Sequence, residues 1–99
     1  RSIGRSDQYT NYRGLVAAHL ARHKQFPPEA RAAGQQGSTT VSFTIDGGGR
    51  VTAVRLGRAS GVASLDQESV AMVRRASPFP APPDGRPMSF TVPVGFHLR

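Results

Sequence analysis

The stretch Thr39-Thr-Val-Ser-Phe-Thr-Ile-Asp-Gly-Gly-Gly-Arg-Val-Thr-Ala-Val-Arg-Leu56 decides the fold. Thr39, Val41, Phe43 and Ile45 alternate with polar Thr40, Ser42 and Thr44, the period of a strand with one buried face. Asp46-Gly47-Gly48-Gly49 supplies residues able to take positive φ, so the chain can reverse there. The return strand is out of step, because Val51 does not share the phase of Val54 and Leu56. A bulge near Thr52–Ala53 would bring all three to one face. A lone hairpin is marginal in water, so the rest of the chain must cover its apolar side.

Outward from the hairpin, the next strand signal is the last segment. Met88, Phe90, Val92, Val94, Phe96 and Leu98 are apolar at every second position, with Ser89, Thr91, Pro93, Gly95 and His97 between them. Before the hairpin, Tyr12, Leu15, Val16, His19, Leu20 and His23 form one stripe of an amphipathic helix that begins near Tyr9. Pro27-Pro28 ends it, Phe26 anchors its exit, and residues 29–33 can add one further helical turn. Residues 1–8 are polar and read as a flexible lead-in to a domain spanning 9–99.

After the hairpin, Ser64 and Gln67 have the spacing of a capping box, opening a second helix. Its inward stripe is Leu65, Ser69, Val70, Met72, Val73 and Ala76. Arg74 and Arg75 complement the helix dipole in its last turn. Ser77-Pro-Phe-Pro-Ala-Pro-Pro83 is too rich in proline for helix or central strand, and predicts an extended connection with Phe79 turned inward. The order α-β-β-α-β predicts an α+β fold, two helices on one face of a three-stranded antiparallel sheet. A helical crossover between the second and third strands sets the sheet order 2-1-3. The third strand is then an edge, and Pro93 fits an edge because it cannot donate to a ladder.

The sequence has no cysteine, so disulfides and thiolate metal sites are excluded. Net charge is +7, from 13 basic and 6 acidic residues, with arginines scattered along the chain rather than grouped. Charge of that kind admits a nucleic acid or an acidic protein as partner. A nucleic-acid module of this architecture needs aromatics on an exposed sheet face, and Phe43, Phe90 and Phe96 fall on the core face instead. No apolar run is long enough to span a bilayer.

No catalytic constellation is visible. His19 and His23 stand at i, i+4 on one helix face, but the glutamate of a zincin motif is absent and His97 is remote. Gly47–Gly49 lacks the Gly-Lys-Ser/Thr ending of a phosphate-binding loop. No Ser/His/Asp set or carboxylate pair stands out. The reading is a binding domain, not an enzyme, with no metal and no cofactor.

In order along the chain, several landmarks carry a resemblance. They are Phe26-Pro27 with Ala30, Gly37 opening a strand with Val41 and Phe43, and Gly49-Arg-Val51. Ser60-Gly61 before Leu65-Asp66 follows, then Pro78-Phe79-Pro80 and Val92-Pro-Val-Gly-Phe-His-Leu98. Together they resemble the C-terminal domain of the TonB family of energy transducers, from about Tyr12 to the end. One position departs from the family, which usually has Tyr-Pro where this chain has Phe26-Pro27.

The resemblance implies the periplasmic domain of a protein anchored in the inner membrane of a Gram-negative bacterium. An upstream helix and proline-rich linker would precede it, since the chain opens on Arg1 as a segment of something longer. Its implied partners are TonB-dependent outer-membrane transporters, whose TonB box adds as a strand to the last strand of the domain. An inner-membrane proton channel complex would supply force, through upstream segments, for uptake of iron chelates, haem or cobalamin. A TolA-like envelope linker shares the same architecture.

The residues support strand addition on their own, because an open edge presents unpaired backbone groups. Pro93 has no N–H, so its side of the strand should face outward. The expected partner-binding residues are then Thr91, Pro93, Gly95 and His97, and the resemblance adds Gln25, Phe26 and Pro27. The same edge would permit homodimers of the domain.

Overall fold

In the computed structural model, residues 5–98 are described, with their side chains from Thr10 onward. The elements are α1 (Arg5–Arg22), α2 (Pro28–Ala32), β1 (Gly37–Ile45), β2 (Val51–Arg58), α3 (Ala63–Ala76) and β3 (Met88–Phe96). The three strands form one antiparallel sheet in the order β2-β1-β3. The α+β architecture read from the sequence is therefore the one that forms, with α2 as an added single turn.

The out-of-step return strand resolves as expected. Thr44 pairs with Ala53 while Ile45 pairs with Val51, so Thr52 is the extra residue of a bulge. Val51, Val54 and Leu56 all become half-buried as a result. A second shift was not anticipated. Val41 pairs with Leu56 and Thr40 with Arg58, which leaves Gly57 unpaired.

The core lies between the sheet and the helices. Phe43 stacks on Phe79 at 5.2 Å and lies 5.5 Å from Phe90, while Tyr12 reaches Phe90 from α1 at 6.1 Å. Thr39 and Ser69 are buried polar groups that satisfy one another at 2.6 Å, and Ser69 also donates to the Leu65 carbonyl. Phe79 turns inward as expected, drawing the proline-rich loop over the core. Its N–H donates to the Gly49 carbonyl at 2.7 Å, and the Tyr12 hydroxyl donates to Pro80 at 2.6 Å. Burial pushes that hydroxyl's pKa above 10.0.

Gly49 is required twice over. Its φ is +93°, and a Cβ there would run into the Phe79 carbonyl. The turn is held further by Asp46, whose carboxylate accepts the Gly48 and Arg50 N–H groups at 2.9 Å each.

Three local expectations need correction. The helix begins at Arg5 rather than near Tyr9, because polar residues can carry a helix without adding to its apolar stripe. Residues 1–4 of the expected lead-in lie outside the described residues. Leu15 is 54% exposed, since it sits at the margin of a stripe centred on Tyr12, Val16 and Leu20. The Ser64–Gln67 capping box does not form. Val62 is the N-cap and makes no side-chain cap bond; instead the Asp66 carboxylate accepts the N–H and hydroxyl of Ser60 at 2.8 Å each. Gly61, at φ +90°, allows the tight approach that puts Ser60 there.

Candidate functional site: the open edge of the sheet

β3 pairs with β1 from Met88 opposite Ile45 to Phe96 opposite Gly37, with no shift in register. Among the described residues nothing pairs with its other side. Pro93 lies opposite Thr40 and cannot donate, so that pair is a non-hydrogen-bonded one. Alternation then fixes the rest: Phe90, Val92, Val94 and Phe96 bond inward to β1, while Thr91, Pro93 and Gly95 direct their backbone groups outward. Side chains agree with this parity. Non-bonded antiparallel pairs stand closer together, and Ser42 meets Thr91 at 3.0 Å and Thr44 meets Ser89 at 2.8 Å through their hydroxyls.

Side chains of β3 divide by face. Phe90, Val94 and Phe96 are buried, Val92 is half-buried, and Thr91 and Pro93 are exposed on the open face. His97 lies just past the strand and its ring folds back over Gly95, where a Cβ would meet Nε2.

The Gln25-Phe26-Pro27 segment meets the edge at one point. Phe26 and Phe96 pack edge to face at 5.9 Å, and the Arg31 guanidinium lies over the Phe26 ring, 4.9 Å from its centre. Pro27 is buried and Gln25 is exposed. The Gln25 N–H donates to Glu68 at 2.9 Å, and Glu68 forms an ion pair with Arg75, which also donates to the His23 carbonyl. The structure thus brings Phe26 beside the Phe96 end of the edge and leaves Thr91 at a distance along the strand.

One edge residue escaped the sequence reading. Lys24 Nζ donates to the Gly95 carbonyl at 2.7 Å and lies 5.7 Å from the centre of the Phe96 ring. No local pattern announces a contact between residues so far apart in the chain.

The histidine pair has a structural use. His19 Nε2 donates to the carbonyl of Ala76, one of the last of α3, at 2.7 Å, and its ring lies 5.0 Å from Phe79. Among the described residues no three His, Cys, Asp or Glu side chains converge to hold a metal. Phe43, Phe90 and Phe96 are buried, so none offers a stacking surface to a base.

Fold and edge together define a small α+β domain with helices on one face of its sheet and a regular, open last strand. The chain belongs to the family described as Gram-negative bacterial TonB protein C-terminal, whose model matches residues 22–98. Protein TonB of Pasteurella multocida is 30% identical over 93 residues, which is 94% of this chain and 36% of that protein. The chain therefore spans about a third of that relative's length.

Among solved structures, the HasB C-terminal domain is 40% identical, covering 90% of this chain and 71% of its own, with a TM-score of 0.56. The Helicobacter pylori TonB C-terminal domain has the same fold at a TM-score of 0.77 and 20% identity, covering 99% and 98% of the two chains. TolAIII, solved bound to a peptide from the N-terminus of TolB, shares the fold at 0.57 and 23% identity over 80% of this chain and 70% of its own.

Proposed function

We propose that this domain captures the TonB box of outer-membrane transporters as a fourth strand on β3. The observation that carries the reading is the shift-free register of β3 with no strand on its outer side among the described residues. Backbone pairing supplies affinity with little demand on sequence, which suits a domain serving several transporters. The fold itself is compatible with such binding, since TolAIII holds a peptide. The captured strand bonds to the N–H groups of Thr91, Gly95 and His97 and to the carbonyl of Pro93. Gln25, Phe26 and Pro27 flank it at the Phe96 end.

In the whole protein the domain is periplasmic and the anchor lies in the inner membrane. Force from a proton channel complex there passes through the captured strand to drive uptake of iron chelates, haem or cobalamin. The domain binds and transmits; the chemistry of cargo lies elsewhere.

Titration with a TonB-box peptide tests this. Thr91→Pro removes one outward donor and is expected to weaken binding about tenfold, each such bond contributing roughly 0.5–1.5 kcal/mol. An unchanged affinity in that variant would place the peptide elsewhere. Raising the salt to about 0.15 M should weaken binding without abolishing it, because strand pairing is short-range compared with a screening length of about 8 Å. Tight, steeply salt-dependent binding of mixed-sequence RNA or DNA would overturn the reading in favour of a nucleic-acid module.

A further inference from the structure

Two neighbouring residues of α3 hold different parts of the domain. Ser69 shares a buried hydroxyl bond of 2.6 Å with Thr39 of β1, the residue opposite Val94 of β3. Glu68, one position earlier, accepts the Gln25 N–H at 2.9 Å through a side chain that is 10% exposed. Arg75 lies about two turns further along the helix, pairs with the same carboxylate and donates to the His23 carbonyl at 2.7 Å. One helix thus ties the chain that leaves α1 to the strand beside the open edge.

That chain has little else to fix its path. Residues 23–27 lie between α1 and α2 and form no rung of the sheet. The amides of His23 and Lys24 bond back into α1, to the carbonyls of Leu20 and Ala21. Within residues 23–26, the main-chain bonds that reach α3 are those to Glu68 and Arg75. Phe26 follows directly, and its place against Phe96 at the end of β3 depends on where that main chain is held. Removing the Glu68 carboxylate would strand no buried charge, because the Arg75 side chain is already 35% exposed.

We propose that Glu68 and Arg75 are positioning residues for strand capture. They hold the main chain of His23 and Gln25 so that Phe26 stands in place beside Phe96 before a strand arrives. The inference rests on the strand-capture reading and deepens it, since neither side chain needs to touch the strand. Without them, binding must itself order the segment, and that ordering weakens the complex. Their influence on affinity therefore passes through Phe26.

The probe is a capped peptide, Thr-Val-Thr-Val-Asn-Val-Thr-Val-Thr, which matches the 9 residues of β3 and reads the same in both directions. Glu68→Ala should weaken its binding about fivefold, the scale expected for ordering one or two side chains on association. Arg75→Met should act in the same direction. Glu68→Gln keeps an acceptor for the Gln25 N–H and should retain most of the affinity. Phe26→Ala should also weaken binding, and adding Glu68→Ala to it should change nothing further, as residues acting through one contact do. Thermal melts establish that each variant is folded at the temperature of titration.

An equal loss from Glu68→Ala with and without Phe26 would overturn the inference, and so would no loss in either. Full affinity in Phe26→Ala would overturn it as well, while leaving strand capture on β3 standing. If Thr91→Pro leaves the affinity of the probe unchanged, the probe binds away from β3. Strand capture and the positioning role then fall together.

Discussion

The sheet has two edges, and they are built in opposite ways. β3 runs beside β1 with no break in register, its backbone parity set by Pro93 and no strand on its outer side among the described residues. β2 runs beside the other side of β1 with two interruptions, one at Thr52 and one at Gly57. Bulges twist a strand and spoil the flat row of donors and acceptors that another chain would need. Arg55 and Arg58 add charge along the same strand, both exposed. One edge is left able to accept a strand, while the other is irregular and charged. Irregularity, more than burial, separates the edge we propose as the binding edge from the edge at β2.

The sharpest way to break this comparison is to place proline on each parity of β3. Val92→Pro removes an inward donor and leaves a Val41 acceptor unpaired, which should destabilise the domain by roughly 2–4 kcal/mol. A shift of about 10–30 °C in the melting temperature is the expected readout. Thr91→Pro, one residue away, loses only an outward donor and the exposed hydroxyl bond to Ser42, so it should cost about 1 kcal/mol or less. If Thr91→Pro unfolds the domain and Val92→Pro is tolerated, the parity of the edge is inverted.

A smaller effect is expected at the turn that joins β1 to the irregular edge strand β2. Gly49→Ala forces a side chain into positive φ and against the Phe79 carbonyl, at a cost of about 1–3 kcal/mol in thermal melts. Peptide affinity, measured where the variant is folded, should stay within about twofold, because the turn lies away from the outward groups of β3. On titration with peptide, the amide resonances of Thr91 and Gly95 should move and those of Val54 and Leu56 on β2 should not.

The least effect concerns pH. The Arg50 N–H, then that of Gly48, holds the Asp46 carboxyl below its ordinary value of 3.8. A lowered folded pKa stabilises the folded form above that value, and the contribution is lost as pH falls through the folded pKa. As pH falls below 3.8 and through the folded pKa, the Gly48 and Arg50 amides should therefore lose protection against exchange, while those of Phe90, Val92, Val94 and Phe96 keep theirs. Asp46→Asn should flatten that pH dependence.

Much of this architecture could be read from alternation. The hairpin, the β2 bulge at Thr52, the edge position of Pro93 and the inward turn of Phe79 all follow from patterns a few residues long. The misread features depend on distant partners or on competition between neighbours. Ser64 and Gln67 had the spacing of a cap, yet no side chain caps the helix, and the bonds at its start run from Ser60 to Asp66 around Gly61 instead. No local pattern marks Gly57, and its unpaired position appears only once β1 is beside it. The edge itself could be placed from sequence, but Lys24 on Gly95 could not, since the two are joined by tertiary structure alone.

The unbroken β1–β3 register also has a mechanical meaning. Bonds between antiparallel strands run across the strand direction, so a pull along β3 stretches the whole ladder sideways at the same moment. A pull away from the sheet at one end would instead open the rungs in succession, as a zipper does. A strand laid along β3 and dragged lengthwise loads the joint in shear, and with no bulge to concentrate the stress, every rung from Met88 to Phe96 shares it.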